Sequence, residues 1–340
     1  MRSSASSLSE EKDLVQKYIK ETAHVVKPVL LQSTKIADSR IQQTIDYSLE
    51  YLQYFERSLL MRLSCESVGG QPHRVTDCAV SVELLHLSSL VIDDILDDAP
   101  SRSGKKSLYR KHGIGQAIIT AEILTSFSLA SFGRALERVD LRKIETTRAY
   151  DMWRRAYYDL YSGQSLDLYL EQSDEVSQTK YYRMASKTTS SLIKLSLVLG
   201  AMLAGAQEKT LMAFEKFGDA LGKAFQLRDD MMDIIGEENL IGKPTGEDLR
   251  RSKKRLPVIL ALRRSLGAKR HWERYFHRRV VQVKDVILMK KLIIESGAIE
   301  QCKQRLRQLA LRSLAHLDVI GDSRAKKALV SFAKLLWLEW

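Results

Sequence analysis

The sequence predicts an all-α protein, a single domain of roughly ten or more helices. Three observations carry that prediction. The 340-residue chain holds only five prolines, with none between Pro100 and Pro244, and long helices need that absence. Glycine is also scarce at 17 residues, whereas a sheet-rich chain needs frequent Gly, Pro and Asn turns. From about Glu11 onward, apolar residues recur three and four positions apart, the period of an amphipathic helix. An all-β fold is nearly excluded and an α/β fold is disfavoured.

Along the chain, residues 1–10 are polar and read as a flexible tail, and residues 11–340 as one domain with no Gly-, Ser- or Pro-rich linker. Breaks are expected near Gly69–Pro72, Ala99–Gly104, Gly113–Gly115, Gly236–Gly246 and Gly267. Between them lie helical segments such as Val80–Asp98, Ile144–Leu170 and Lys209–Ile235. Hydrophobic residues at 44% and charged residues at 28% place the chain among folded, soluble proteins rather than disordered ones. Cys65, Cys78 and Cys302 are too widely spaced for a zinc site or a disulfide framework, and read as reduced thiols of a cytoplasmic protein. The N-terminus lacks the apolar run of a secretory signal. No uninterrupted apolar run of about 18 residues occurs, so no membrane span is expected.

The net charge of +12 is uneven. Residues 250–340 hold 23 Lys/Arg against 7 Asp/Glu, while the rest of the chain is slightly acidic. Such a basic region suits nucleic acid, an anionic membrane surface or an anionic substrate, or is simply a solvated face. No nucleic-acid-binding signature accompanies it, so no nucleic-acid partner is expected.

Two helices end in acid. The segment Ser81–Asp98 is strongly apolar and finishes in four aspartates. Asp93 and Asp97 stack at i, i+4, with Asp94 beside them. Carboxylates at a helix C-terminus oppose the macrodipole and repel one another, so their presence points to a cation. Oxygen ligands of this kind suit Mg²⁺, which takes one or two carboxylates plus substrate phosphates. In Gly222–Asp233, Asp229 and Asp233 stack in the same way, with Asp230 adjacent and Gln226 one turn earlier. Two such motifs about 135 residues apart are far more specific than one. Opposed across a cavity, they would hold several Mg²⁺ ions gripping one diphosphate.

At these residues the chain resembles the trans-isoprenyl diphosphate synthases, the polyprenyl synthetase family. Val82–His86 and Asp93–Asp97 resemble its first aspartate-rich motif and the helix leading to it, and Phe225–Asp233 resembles its second. Between them, Gly163–Asp167 is similar to the GQxxD element and Lys187-Thr188 to the KT pair. Downstream, Gly242–Pro244 and Lys253–Pro257 resemble the GKP and GKxTLP segments, with Ser252 in place of a glycine.

The resemblance implies a helical bundle around a deep central cavity, commonly a homodimer. It implies about three Mg²⁺ ions held by Asp93, Asp94, Asp97, Asp229 and Asp233 and binding an allylic prenyl diphosphate. Arg102, Lys187 and Lys243 would neutralise the remaining charge, and Asp230 would join them in catalysis. Gln164, Thr188, Phe225, Gln226 and Lys253 belong to the implied substrate site. Diphosphate departs, the double bond of isopentenyl diphosphate attacks the allylic cation, and the released diphosphate takes the lost proton. No protein nucleophile is required.

The acceptor side departs from the family pattern. Arg57 and His86 are kept, but Tyr54 stands where a lysine is expected and Ser103 where an arginine is expected. Lys105 and Lys106 are the candidates to replace them. Losing two charge-assisted partners weakens a diphosphate site about a hundredfold or more. Two functions follow: elongation with isopentenyl diphosphate, or ionisation of the allylic diphosphate without it. The second would make the chain a class I terpene synthase or a prenyltransferase to another acceptor. A non-catalytic regulatory subunit is disfavoured, because both aspartate motifs are present. Chain length is read from the two residues before the first motif's approach. Ser88 and Ser89 stand where family members with short products carry bulky aromatics, and Ser89 lies one turn, about 5.4 Å, below Asp93. An open channel there predicts about C20, geranylgeranyl diphosphate, as product or substrate.

Overall fold

The computed structural model describes residues 2–139, 142–236, 245–276 and 281–338. Among these, fifteen α-helices carry the fold, and the only strands form a two-residue hairpin, Ser101–Arg102 with Lys105–Lys106. The first helices are α1 (Arg2–Ser33), α2 (Ser39–Leu49) and α3 (Glu56–Ser67), followed by α4 (Thr76–Leu96) and α5 (Leu108–His112). The long central helices are α6 (Ile114–Glu137), α7 (Lys143–Gln172), α8 (Gln178–Leu203) and α9 (Glu208–Ile235). A short α10 (Glu247–Arg250) leads to α11 (Leu256–Arg264), α12 (Leu266–Tyr275), α13 (Val283–Glu295), α14 (Ala298–Ala315) and α15 (Arg324–Leu338).

Local chemistry explains the boundaries. Asp38 caps α2 by accepting from the backbone N–H groups of Arg40 and Ile41, and Ser177 caps α8 through Lys180 N–H. Gly69, Gly104, Gly113 and Gly246 take positive φ at the expected breaks. The break expected at Gly267 falls two residues earlier, because Ser265 supplies the cap of α12 and Gly267 is absorbed into its first turn. The expected tail differs too. α1 begins at Arg2, and residues 2–10 contain no proline or glycine to stop a helix.

α8 is buried on several sides and separates α7 from α9. α4 packs on α6 and α3, α3 packs on α8, and α14 closes the far side of α9. This arrangement brings the aspartate-bearing ends of α4 and α9 to one mouth of the bundle. Two helical stretches, Pro72–Leu96 and Ile114–Glu137, are long and apolar enough to cross a membrane, contrary to the expectation from uninterrupted runs. The first is 72% buried within the protein, as a core helix is, whereas the second is only 33% buried.

Candidate active site

A cavity of about 720 Å³ opens between α3, α4, α7, α8 and α9. Asp93 and Asp97 reach it from α4, and Asp229, Asp230 and Asp233 from α9. Arg57, His86, Ser89, Arg102, Gln164, Thr188 and Gln226 also line it. Most of the residues singled out in the sequence therefore converge on one space.

Their partners differ. Gln164 Nε2 donates to Asp93 Oδ1 at 2.9 Å, orienting that carboxylate. Asp97 accepts from Lys253 Nζ at 2.6 Å and faces Arg251 Nε at 3.4 Å. Burial, then the neighbouring Asp93, pushes the Asp97 carboxyl up to about 6, with Lys253 and Arg251 pulling against them. Asp230 accepts from Tyr181 Oη at 2.6 Å and from Gln226 Nε2 at 2.8 Å. Its burial outweighs Arg255 and raises it to about 7.

Several expected roles are corrected. Asp94 is fully buried, does not line the cavity, and accepts from Arg102 Nε at 2.7 Å; it anchors Arg102 rather than facing a metal. Asp233 lines the cavity, but its oxygens accept the backbone N–H groups of Gly246, Glu247 and Asp248 at 3.0, 3.1 and 3.2 Å. It therefore holds the returning loop. Lys187 does not line the cavity, because its ammonium is engaged by Asp159 at 3.0 Å and Ser162 at 2.7 Å. Phe225 sits on the flank of α9 against Phe332, with ring centroids 5.7 Å apart. Ser88 is buried in the α4–α6 contact, donating to Ala121 O at 2.9 Å, so only Ser89 faces the cavity. Lys253 is buried behind Asp97, bonded to Asp167 as well. Lys243 lies outside the described residues.

Other residues were missed. Arg251, Arg255 and Asp248 line the cavity. Asp167 accepts from Arg255 at 2.6 Å and from Lys253 at 2.9 Å, so an ionic chain runs from Asp97 through Lys253, Asp167 and Arg255 toward Asp230 at 3.7 Å. The visible signal was the run Arg250-Arg251-Ser252-Lys253-Lys254-Arg255, a basic stretch just after the second acidic helix. Ser252 has φ 58, the left-handed region that favours glycine, which explains why glycine is the family residue there.

Two glycines set the spacing of the walls. A β-carbon on Gly163 would stand 2.7 Å from Lys187 Cβ and 2.8 Å from Thr188 N, so the GQ and KT elements are the two sides of one helix crossing. On Gly222 it would stand 2.5 Å from Ser190 Cα.

The donor set fits a hard divalent cation: all the candidate ligands are carboxylate oxygens, and burial, then the neighbouring Asp93, raises Asp97. Among the described residues, no three Asp, Glu, His or Cys already form a closed metal cage. Substrate phosphates would thus complete the coordination, as Mg²⁺ sites on nucleotides and diphosphates do.

The polyprenyl synthetase family profile matches residues 39–292. The chain belongs to this family. A polyprenyl synthetase is a prenyltransferase, and the similar proteins agree. The chain is 31% identical over 326 residues to the short chain isoprenyl diphosphate synthase of Methanothermobacter thermautotrophicus, covering 91% of this chain and 97% of that one. It superposes on the geranylgeranyl pyrophosphate synthetase of Pyrococcus horikoshii with a TM-score of 0.87 at 26% identity, covering 97% and 99% of the two chains. The polyprenyl synthase of Caulobacter crescentus, solved with calcium and isoprenyl diphosphate, gives a TM-score of 0.89 at 23% identity and shares the fold over 96% and 97% of the chains.

This polyprenyl synthetase has few cationic groups on the cavity wall lined by Tyr54, Arg57, His86 and Ser103. Arg57 lies on the first turn of α3, whose preceding residue, Phe55, takes φ 50 and offers no side-chain cap. The buried Glu83 of α4 replaces the cap, accepting from Ser58 N–H at 2.8 Å. Burial, then Arg57 and Arg102, holds the His86 pKa well below the usual imidazole value. Tyr54 and Ser103 line the cavity as expected. Lys105 is paired with Glu50, and neither it nor Lys106 lines the cavity.

Proposed function

We propose that this chain lengthens an allylic prenyl diphosphate with isopentenyl diphosphate to a product of about C20, a reading supported by the small Ser89 that lines the cavity one turn below Asp93. The reading is carried by one observation, the facing of Asp93 and Asp97 by Asp229 across a single cavity. About three Mg²⁺ ions, held by these carboxylates and the substrate phosphates, would supply Lewis-acid charge to the departing diphosphate. Gln164 orients Asp93, and Lys253 with Arg251 orients Asp97. The allylic C–O bond breaks with its electron pair leaving on diphosphate. The acceptor double bond forms the new C–C bond at that carbon, and the proton it loses passes to the released diphosphate. Leu90, Leu160 and Leu192 line the cavity and keep water from the cation.

Arg57, with a buried Nε that has no hydrogen-bond partner, supports use of a diphosphate acceptor. Tyr54 and Ser103, standing where a lysine and an arginine are expected, leave that acceptor two cationic partners short and give it a high KM. A homodimer is supported by α6, which leaves Ile114, Ile118, Ile119 and Leu129 exposed with few charges among them. A cytoplasmic setting is supported by three buried, unpaired thiols. The test is incubation with farnesyl diphosphate and isopentenyl diphosphate in Mg²⁺, followed by mass analysis. A geranylgeranyl product, abolished by chelator and by Asp229→Ala, is expected. Equal turnover without isopentenyl diphosphate would instead establish a terpene synthase or another acceptor.

A further inference from the structure

The basic C-terminal region has no part in the chemistry above beyond residues 251–255, yet its exposed surface has a definite pattern. α13 is apolar on two faces. Val286, Met289 and Ile293 are buried against the protein. On the other side, Val283, Ile287, Leu288 and Ile294 stand 56%, 62%, 44% and 50% exposed. Positions 283, 287 and 294 share one stripe with 291, and 284 lies beside it with 288. Lys284 and Lys291 therefore alternate with the apolar residues on that stripe, and both are exposed.

The pattern extends to the neighbouring helices. Arg264 Nε, at the end of α11, donates to Ser296 O at 2.9 Å, and a β-carbon on Gly267 of α12 would stand 3.7 Å from Leu292 of α13. These contacts bring the exposed Arg263, and Leu266 at 73% exposure, alongside the stripe. From Arg263 to Glu295 the sequence holds ten Lys/Arg and three Asp/Glu.

Large exposed apolar side chains interleaved with lysine and arginine are the pattern of a surface that lies in a lipid headgroup layer. A second copy of this strongly positive surface would repel it. Nucleic acid would use the charges and leave the isoleucines and leucines in water. The α6 face differs in just this respect, being apolar with few charges, as a self-contact requires.

We infer that the outer face of α11–α13 docks the enzyme on an anionic membrane surface. The apolar residues enter the headgroup–acyl boundary and the basic ones meet lipid phosphates. α11 runs from the cavity at Arg255 to this face at Arg264, about 13 Å. An amphiphilic prenyl product is thus released close to the bilayer that dissolves it.

The test is cosedimentation of the intact protein with phosphatidylcholine vesicles, with and without an equal share of phosphatidylglycerol. Binding to the anionic vesicles alone is expected, with release when salt is raised to about 0.5 M. Lys284→Gln with Lys291→Gln is expected to weaken it about thirtyfold, and Ile287→Asp to abolish it. Neither variant changes turnover of soluble substrates, so failure here is separable from failure of the proposed reaction. Equal recruitment to neutral vesicles, no recruitment of the wild type, or variants that bind as well as wild type would overturn the inference. So would a change of oligomeric state in Ile287→Asp, which would assign the face to self-association.

Discussion

Asp167 shows how one residue joins the two halves of the site. Burial alone would raise its carboxyl, but Arg255 and Lys253 outweigh this and bring it down to about 2. A folded-state value below the unfolded one means stability that is present above about pH 4 and lost as pH falls toward 2. Asp167→Asn leaves Lys253 and Arg255 short of a buried counter-charge and should cost about 3 kcal/mol at neutral pH. Denaturant titrations should show the gap from wild type closing as pH drops below about 4; a gap independent of pH would rule out the ionic account. Ser88 and Ser89 separate in a similar way. Ser89→Phe places a ring in the cavity one turn below Asp93 and should shift products to C10–C15 with the melting temperature little changed, as read by product analysis. Ser88→Phe meets α6 instead, where Ser88 is bonded to Ala121 O and Thr125 Oγ1, and should damage the fold.

Among the elements, α8 decides the width of the site. It carries no carboxylate, yet α7 and α9 both rest on it through glycines, at Thr188 and at Ser190. Gly222→Ala forces α9 away from a backbone atom that cannot yield, 2.5 Å from the new carbon. Overpacking of this kind costs about 2–3 kcal/mol, and the displaced helix carries Asp229 with it. A lower denaturation midpoint together with a fall in kcat is expected. Normal kcat in a merely destabilised protein would show that α9 tolerates the shift.

At the scale of the molecule, the described residues include two exposed apolar surfaces of different chemistry. The α6 face has few charges and suits a second copy, whereas the α11–α13 face is basic and suits lipid. Ile118→Glu should therefore convert a dimer to a monomer, measured by light scattering after size exclusion. A wild type that runs as a monomer would remove the self-contact from α6.

Much of this was legible in the chain. Scarce proline and glycine and the 3.6-residue period specified helices, and α7 and α9 fall within two residues of the segments expected from Ile144–Leu170 and Lys209–Ile235. The i, i+4 aspartates specified two acidic helix ends, because helical spacing is a local property. Tertiary structure decided which aspartate faces the cavity and which faces a partner. Asp94 and Asp233 have the same chemistry and spacing as Asp93 and Asp229, but Arg102 and the backbone of residues 246–248 claim them. It also decided that Lys187 and Ser88 are turned to neighbouring helices, and that Arg251 and Arg255 enter the site. Such assignments depend on which helix passes behind each side chain, a relation between residues up to 156 positions apart, as Lys253 and Asp97 are. Periodicity along one helix carries no record of that distance.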